Sequence, residues 1–256
     1  MVKDSGSKEV PSVPLVIFHG LGGWSYLAFS LLPWLMQKHP RRCLVVINIP
    51  ALEPRQLLCP PSWHMIVDGI RDLLLQVFPH SDLPLQHDVL GHSHGGHVIN
   101  RWLRYCHNEY PYNVPCPNPQ SAYTENQILS GGGSFFAPRR VFLVEVPIFG
   151  STGSGYSCVM ITQKAAFKNY ALCSNKNGVP WIETVCYSLP EEVDVYIYMS
   201  SKDKVSPCDY VHILAKKFWP KVTLVESENN GGHADWAGFN NEAWAELKQV
   251  FLEKFV

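Results

Sequence analysis

The chain has 256 residues, 46% hydrophobic, 12% aromatic and 17% charged, with a formal net charge of −1. That apolar share supports a sizeable core and excludes wholesale disorder, and the near-zero charge argues against a nucleic-acid binder, which carries a basic face. No apolar run approaches the roughly 20 residues that span a bilayer. The opening MVKDSGSKEVPSVP lacks the apolar stretch of a signal peptide, so a cytoplasmic protein is expected.

Apolar runs alternate with amphipathic stretches along the chain. VPLVIFHG (13–20) reads as a buried strand running into a turn. Residues 24–38 have helical spacing, with Leu27, Leu31, Trp34 and Leu35 on one face, although Pro33 counts against a continuous helix. CLVVINIP (43–50) is a second strand, and Ile66, Ile70, Leu73, Leu74 and Val77 form the stripe of a helix over 61–78. HDVLGHS (87–93) is a third strand, followed by a helix over 97–110 that buries Val98, Trp102, Leu103 and Cys106. RRVFLVEVPIFG (139–150) and EVDVYIYMSSKD (192–203) are further strands. Then come a helix over 209–219, the strand KVTLVES (221–227) and a helix over 241–255 with Trp244, Leu247, Val250 and Phe251 on one face.

Such alternation predicts a mostly parallel sheet covered by helices on both faces. Right-handed crossovers then leave the strand C-termini along one rim, where sites belong. At roughly 150 residues per domain the length gives about 1.7 domains, yet α/β folds of this size form one. A single domain over 1–256 is expected, with two insertions. One is the Pro-, Asn- and Gly-rich surface excursion 111–138, and the other the cap or lid segment 150–190. Both are expected to emerge on the active rim.

The eight cysteines are dispersed without a CxxC pair, so they read as reduced, structural thiols. Cys43 before LVVI and Cys106 on a helix face are expected to pack as small hydrophobes.

GHSHGG (91–96) stands between a strand and a helix. A turn that tight forces Ser93 into a strained backbone and projects its Oγ clear of the sheet, while side chains at 91 and 95 would collide with neighbouring elements. The following helix points its positive end at Ser93. A serine hydroxyl needs a base. Among eleven histidines, His233 in NNGGHAD follows the last strand on the same rim. Asp203 in YMSSKDKVSP likewise follows a strand and can orient that imidazole. Asp194, Asp209 and Asp235 are alternatives, and Glu145 ends the fourth strand. The chain order of nucleophile, acid and histidine belongs to one hydrolase architecture.

HGLGG (19–23), GHSHGG, SSKDKVSP and GGHAD, taken together, resemble the α/β-hydrolase superfamily of serine hydrolases, on its lipase/esterase side, from about residue 13 to the C-terminus. PIFGS (147–151) adds to that likeness. The resemblance implies an oxyanion hole formed by the backbone N–H groups of Leu21 and His94, each donor contributing roughly 3 kcal/mol. His19 is expected to hold its loop in shape.

Trp24, Phe149, Tyr156 and Trp236 flank these loops and could line an acyl pocket, although aromatics there are at least as often core. The string His92, His94, His97 suggests metal at first sight, but no suitably spaced carboxylate or thiolate joins it, so neither metal nor cofactor is expected. Arg41-Arg42, Arg139-Arg140 and Lys216-Lys217 read as solvated element ends. The expected activity is hydrolysis of a carboxylic ester, an acylglycerol or other apolar acyl ester, through an acyl-enzyme. Alternatives are a thioesterase or depalmitoylase and a catalytically silent binding module. The expected partner is a small-molecule or lipid acyl ester, with transient lipid-surface contact open and no nucleic acid.

Overall fold

The computed structural model describes residues 13–20, 30–48, 63–78, 86–106, 138–146, 193–203, 206, 208–209, 211–212, 221–228, 231–237 and 241–255. Six strands form one sheet in the order β2-β1-β3-β4-β5-β6. They are β1 (Leu15–Phe18), β2 (Leu44–Ile47), β3 (Asp88–His92), β4 (Arg140–Val144), β5 (Asp194–Ser200) and β6 (Thr223–Ser227). Every neighbouring pair is parallel, with Leu15 opposite Asp88 and Asp88 opposite Arg140, so the strand ends are aligned and all C-termini share one rim. The described helices are α1 (Leu31–Lys38), α2 (Trp63–Val77), α3 (Gly95–Cys106) and α4 (Asn241–Phe255).

Because side chains alternate across a strand, each strand feeds two cores. Val16 and Phe18 pack with Val89, Val141, Leu143 and Ile197 under α2 and α3, which contribute Ile66, Val67, Ile70, Leu74, Val98, Ile99, Trp102 and Leu103. Leu15 and Ile17 face the other way, with Leu90, Phe142, Val144 and Tyr198, against Leu31 and Leu35 of α1 and Ala243, Leu247 and Phe251 of α4. Helices on both faces of a parallel sheet match the sequence reading.

The helix faces follow their stripes with two departures. On α2, Val67 is buried, whereas Val77 is 40% exposed at the helix end. On α4, Trp244 and Val250 are half-buried at the edge of the core. Pro33 is tolerated because it is the third residue of α1, in the first turn, where its missing N–H would have had no intrahelical acceptor. The sequence placed the start of α3 at residue 97; it begins at Gly95, directly after the elbow. Cys208, Asp209, Val211 and His212 are helical, and the rest of the expected 209–219 helix lies outside the described residues, as do Leu27 and Lys216-Lys217.

Two expectations are corrected. Cys43 is exposed rather than packed, since it precedes β2, whereas Cys106 and Cys208 are buried free thiols. The arginine pairs are not simply solvated ends. Asp88, 0% exposed at the start of β3, receives Arg42 at 2.5 Å, Arg140 at 2.8 Å and Arg139 at 3.3 Å. Arg42 also donates through Nε to the Val13 carbonyl at 2.8 Å. One carboxylate thus pins the N-terminal ends of four adjacent strands. Burial pushes its pKa up from 3.8, but hydrogen bonds from Arg140 and Arg139 more than reverse this and hold it low.

Residues 111–137 and 150–190 lie outside the described residues. Their attachment points differ, however. The first departs beyond the C-terminus of α3, which has returned from the rim, and the chain re-enters where Arg139 N–H donates to the His87 carbonyl, at the opposite edge of the sheet. The second departs beyond Val146, on the rim itself, where the Val146 carbonyl accepts from Ser206 Oγ at 2.6 Å. The expectation that both segments emerge on the active rim falls on residues outside those described; of the two departure points only the second is on the rim, because a helix that follows a strand carries the chain back to where the strands begin.

Candidate active site

Strand β3 ends at His92, and Ser93 turns the chain into α3 within two residues. Ser93 has φ 51, a left-handed value that L-residues adopt at a cost. Its N–H donates to the Val144 carbonyl at 3.0 Å, and its carbonyl accepts from Gly96 N at 3.0 Å, closing the elbow. The flanking glycines are sterically required. A Cβ on Gly95 would come within 2.3 Å of the Phe18 carbonyl oxygen, and one on Gly96 within 2.3 Å of Val146 Cγ1. Only bare backbone lets α3 start this close to β1 and β4.

Ser93 Oγ lies 2.9 Å from His233 Nε2, and His233 Nδ1 lies 2.7 Å from Asp203 Oδ2. Serine donates to the neutral imidazole, whose Nδ1–H donates to the carboxylate. The three residues come from the ends of β3, β5 and β6, so the aligned register of the sheet brings them together. Asp203 is fixed by its own turn. Its N–H donates to the Ser200 carbonyl at 3.0 Å, and its Oδ1 accepts from Ser206 N at 2.9 Å. Lys202 N–H donates to the Gly231 carbonyl at 3.1 Å, tying the acid turn to the histidine loop. Burial pushes the His233 pKa down from 6.5, but the hydrogen bond and charge of Asp203 outweigh it and leave the value raised.

A second carboxylate, which the sequence offered only as an alternative acid, lies behind this chain. Glu145, just past β4, is 0% exposed with φ 49. Its Oε2 accepts from Ala234 N at 2.5 Å and Trp236 Nε1 at 3.2 Å. It also lies 3.5 Å from His92 Nε2 and 3.9 Å from His233 Nδ1. Oε1 accepts from Ser200 Oγ in a very short contact. Burial pushes the Glu145 carboxyl up, yet the His92 hydrogen bond leads the effects that hold it below its ordinary 4.5. His92, fully enclosed, is pushed below 6.5 mainly by burial and is neutral near pH 7. The sequence signal for Glu145 was available: a carboxylate between two valines at a buried strand end (VEV) needs partners.

The remaining expected site residues divide in two. His94, at the start of α3, is buried beside Ser93. His19, also buried, donates through Nδ1 to the Gly20 carbonyl at 2.8 Å, as a loop-shaping residue does. Trp236 is 1% exposed and packs edge-on against His92 with ring centroids 5.0 Å apart, so it supports the site from the core. Leu21, Trp24, Phe149, Tyr156 and the His97 side chain lie outside the described residues. For metal, the described cluster is His92, Glu145 and His233, whose ligand atoms lie within 4.8 Å of one another. Glu145 Oε2 and His233 Nδ1 are already engaged, by Ala234, Trp236 and Asp203, so a cation would have to break the network that holds the imidazole.

No protein-family model matches the chain, and no curated protein sequence does either. Solved structures do. The thioesterase RedJ from the prodiginine pathway of Streptomyces coelicolor superposes with TM-score 0.55 at 13% identity, over 94% of this chain and 85% of that one. The carboxylesterase CesB from Bacillus subtilis gives 0.54 at 12%, over 96% and 85%. The alpha/beta hydrolase MGS-MChE2, from a sediment metagenome of the Mar Chica lagoon, Morocco, gives 0.55 at 16%, over 95% and 92%. With its parallel strand order and a strand-elbow-helix at Ser93, the chain has the α/β-hydrolase fold.

Proposed function

We propose that this chain is a serine hydrolase that cleaves a carboxylic ester through an acyl-enzyme. The observation that carries the reading is the unbroken hydrogen-bonded chain from Ser93 Oγ through His233 to Asp203. In the first step Oγ attacks the ester carbonyl carbon as its proton passes to His233 Nε2. The carbonyl π electrons move onto oxygen, where the N–H groups of His94 and Leu21 stabilise the charge. On collapse the bond to the leaving alcohol breaks, and that alcohol takes the proton from Nε2. Water then attacks the acyl-enzyme, gives its proton to Nε2, and Ser93 recovers that proton as the acid departs. Asp203 fixes the Nδ1–H tautomer and stabilises the imidazolium. No step calls for a cofactor.

RedJ is a thioesterase and CesB a carboxylesterase, so both ester and thioester carbonyls are candidate substrates of this architecture. The few charges in 150–190 favour an uncharged, partly apolar acyl group from a small molecule or lipid. That segment, departing from the rim, is the one we assign to substrate selection; it and 111–138 are insertions into one domain. A fluorophosphonate probe tests the activity. Wild-type protein labels at Ser93 and hydrolyses nitrophenyl esters, and Ser93→Ala loses both while unfolding at a similar temperature. A chain that never labels is a binding module, and an active Ser93→Ala variant removes Ser93 as nucleophile. A panel of oxygen and sulfur esters of increasing chain length then separates esterase from thioesterase.

A further inference from the structure

Glu145 reaches the neighbourhood of all three members of the Ser93–His233–Asp203 chain. It accepts from Ala234, the residue after His233, and from Ser200, three residues before Asp203; it also faces His92, the residue before Ser93. The left-handed backbone at Glu145 belongs to the same pattern. Among the described residues, the non-glycine positions with positive φ are Ser93 (51), Glu145 (49) and Ala234 (62). All three lie within this network. A φ of this kind persists only where surrounding contacts hold it, and here Glu145 N–H donates to the Tyr198 carbonyl at 2.9 Å while the side chain closes on the histidine loop.

We propose that Glu145 is a positioning residue for His233: its buried charge sets the imidazole's place and its readiness to carry a proton. The proposal rests on the reading of Ser93, His233 and Asp203 as the acyl-transfer machinery, with Asp203 as the direct acid. Glu145 acts from 3.9 Å, beyond hydrogen-bond reach but close enough for charge to act strongly inside a low-dielectric core. Its Oε2 also fixes the loop, since it accepts from Ala234 N and Trp236 Nε1, one and three residues after His233 in sequence. The groups that influence His233 are Asp203 and Glu145, the Asp235 carboxylate on the same loop and the neutral ring of His92, with ring centroids 5.4 Å apart. Asp235 Oδ2 is itself engaged by Gly232 N at 2.6 Å.

The test follows the titration of the His233 ring by NMR in wild type and Glu145→Gln. Glutamine can still accept from Ala234 and Trp236 and pair with Ser200, so the substitution removes charge and keeps the contacts. The expected result is a His233 pKa lower by at least about one unit, with fluorophosphonate labelling slowed roughly tenfold at its optimum. A Glu145→Gln protein that titrates and labels like wild type overturns the proposal, because a purely structural side chain would not move the titration. If Glu145→Gln does not fold, Asp203→Asn decides. With Glu145 still facing Nδ1, His233 should titrate above about pH 6, whereas a value below about 6 would show burial acting unopposed and would overturn the proposal. Wild-type protein that fails to label overturns the hydrolase reading alone; the titration needs no turnover and still reads the contribution of Glu145.

Discussion

His233 sits between opposing influences, and their balance sets the pH range of the proposed reaction. Burial disfavours the imidazolium, Asp203 favours it, and the outcome is a pKa raised from 6.5. The base must be neutral to take the Ser93 proton, so activity is present above that raised pKa and is lost as pH falls through it. The acid limb of kcat/KM for a nitrophenyl ester should therefore have its midpoint above pH 6.5; a midpoint below it contradicts the assignment of His233 as base. Ser93 and His233 could be picked out from sequence because each sits in a short motif whose glycines have a steric purpose. Asp203 was chosen over Asp194, Asp209 and Asp235 because it follows a strand and precedes a turn. The role of Glu145 was not readable, because three donors and two imidazoles converge on it from three separate segments of chain.

At the scale of elements, the sheet is fixed from both ends. The rim carries the network just described, and the opposite edge carries Asp88 with Arg42, Arg139 and Arg140. Removing one partner from a buried ion pair is costly because the remaining charges stay where they are. Asp88→Asn would leave three guanidiniums converging on a neutral amide, and a loss of about 3–5 kcal/mol is expected in urea unfolding. A loss below about 1 kcal/mol would show that the arginines simply turn to solvent. The Asp88 pKa is depressed from 3.8, so its contribution is full above that value and disappears as pH falls through the folded-state pKa. The strands themselves were readable as β-branched runs, and all six appear within the expected stretches. The arginine pairs were misjudged because charge next to a strand end looks the same whether it faces water or a buried carboxylate 46 to 52 residues away.

At the scale of the molecule, parallel alternation made the architecture and the location of the site readable together, since both follow from all strands ending on one rim. It did not identify which insertion departs from that rim. That depends on whether a segment follows a strand or a helix, and 111–138 follows a helix. The site's concentration of left-handed backbone has a further consequence, in the trade between stability and reactivity. The elbow holds a side chain at φ 51, and under the proposed mechanism the reason is the need for a hydroxyl there, not a preference of folding. Glycine at that position removes roughly 1–2 kcal/mol of strain, against about 0.5–1 kcal/mol for its greater freedom when unfolded. Ser93→Gly should therefore melt about 1–3 °C above the equally inactive Ser93→Ala in calorimetry, and an order reversed would mean that the turn is relaxed. The least stable residue of the elbow would then be the one on which the proposed turnover depends, and selection for that activity would keep this fold below the stability that its own backbone permits.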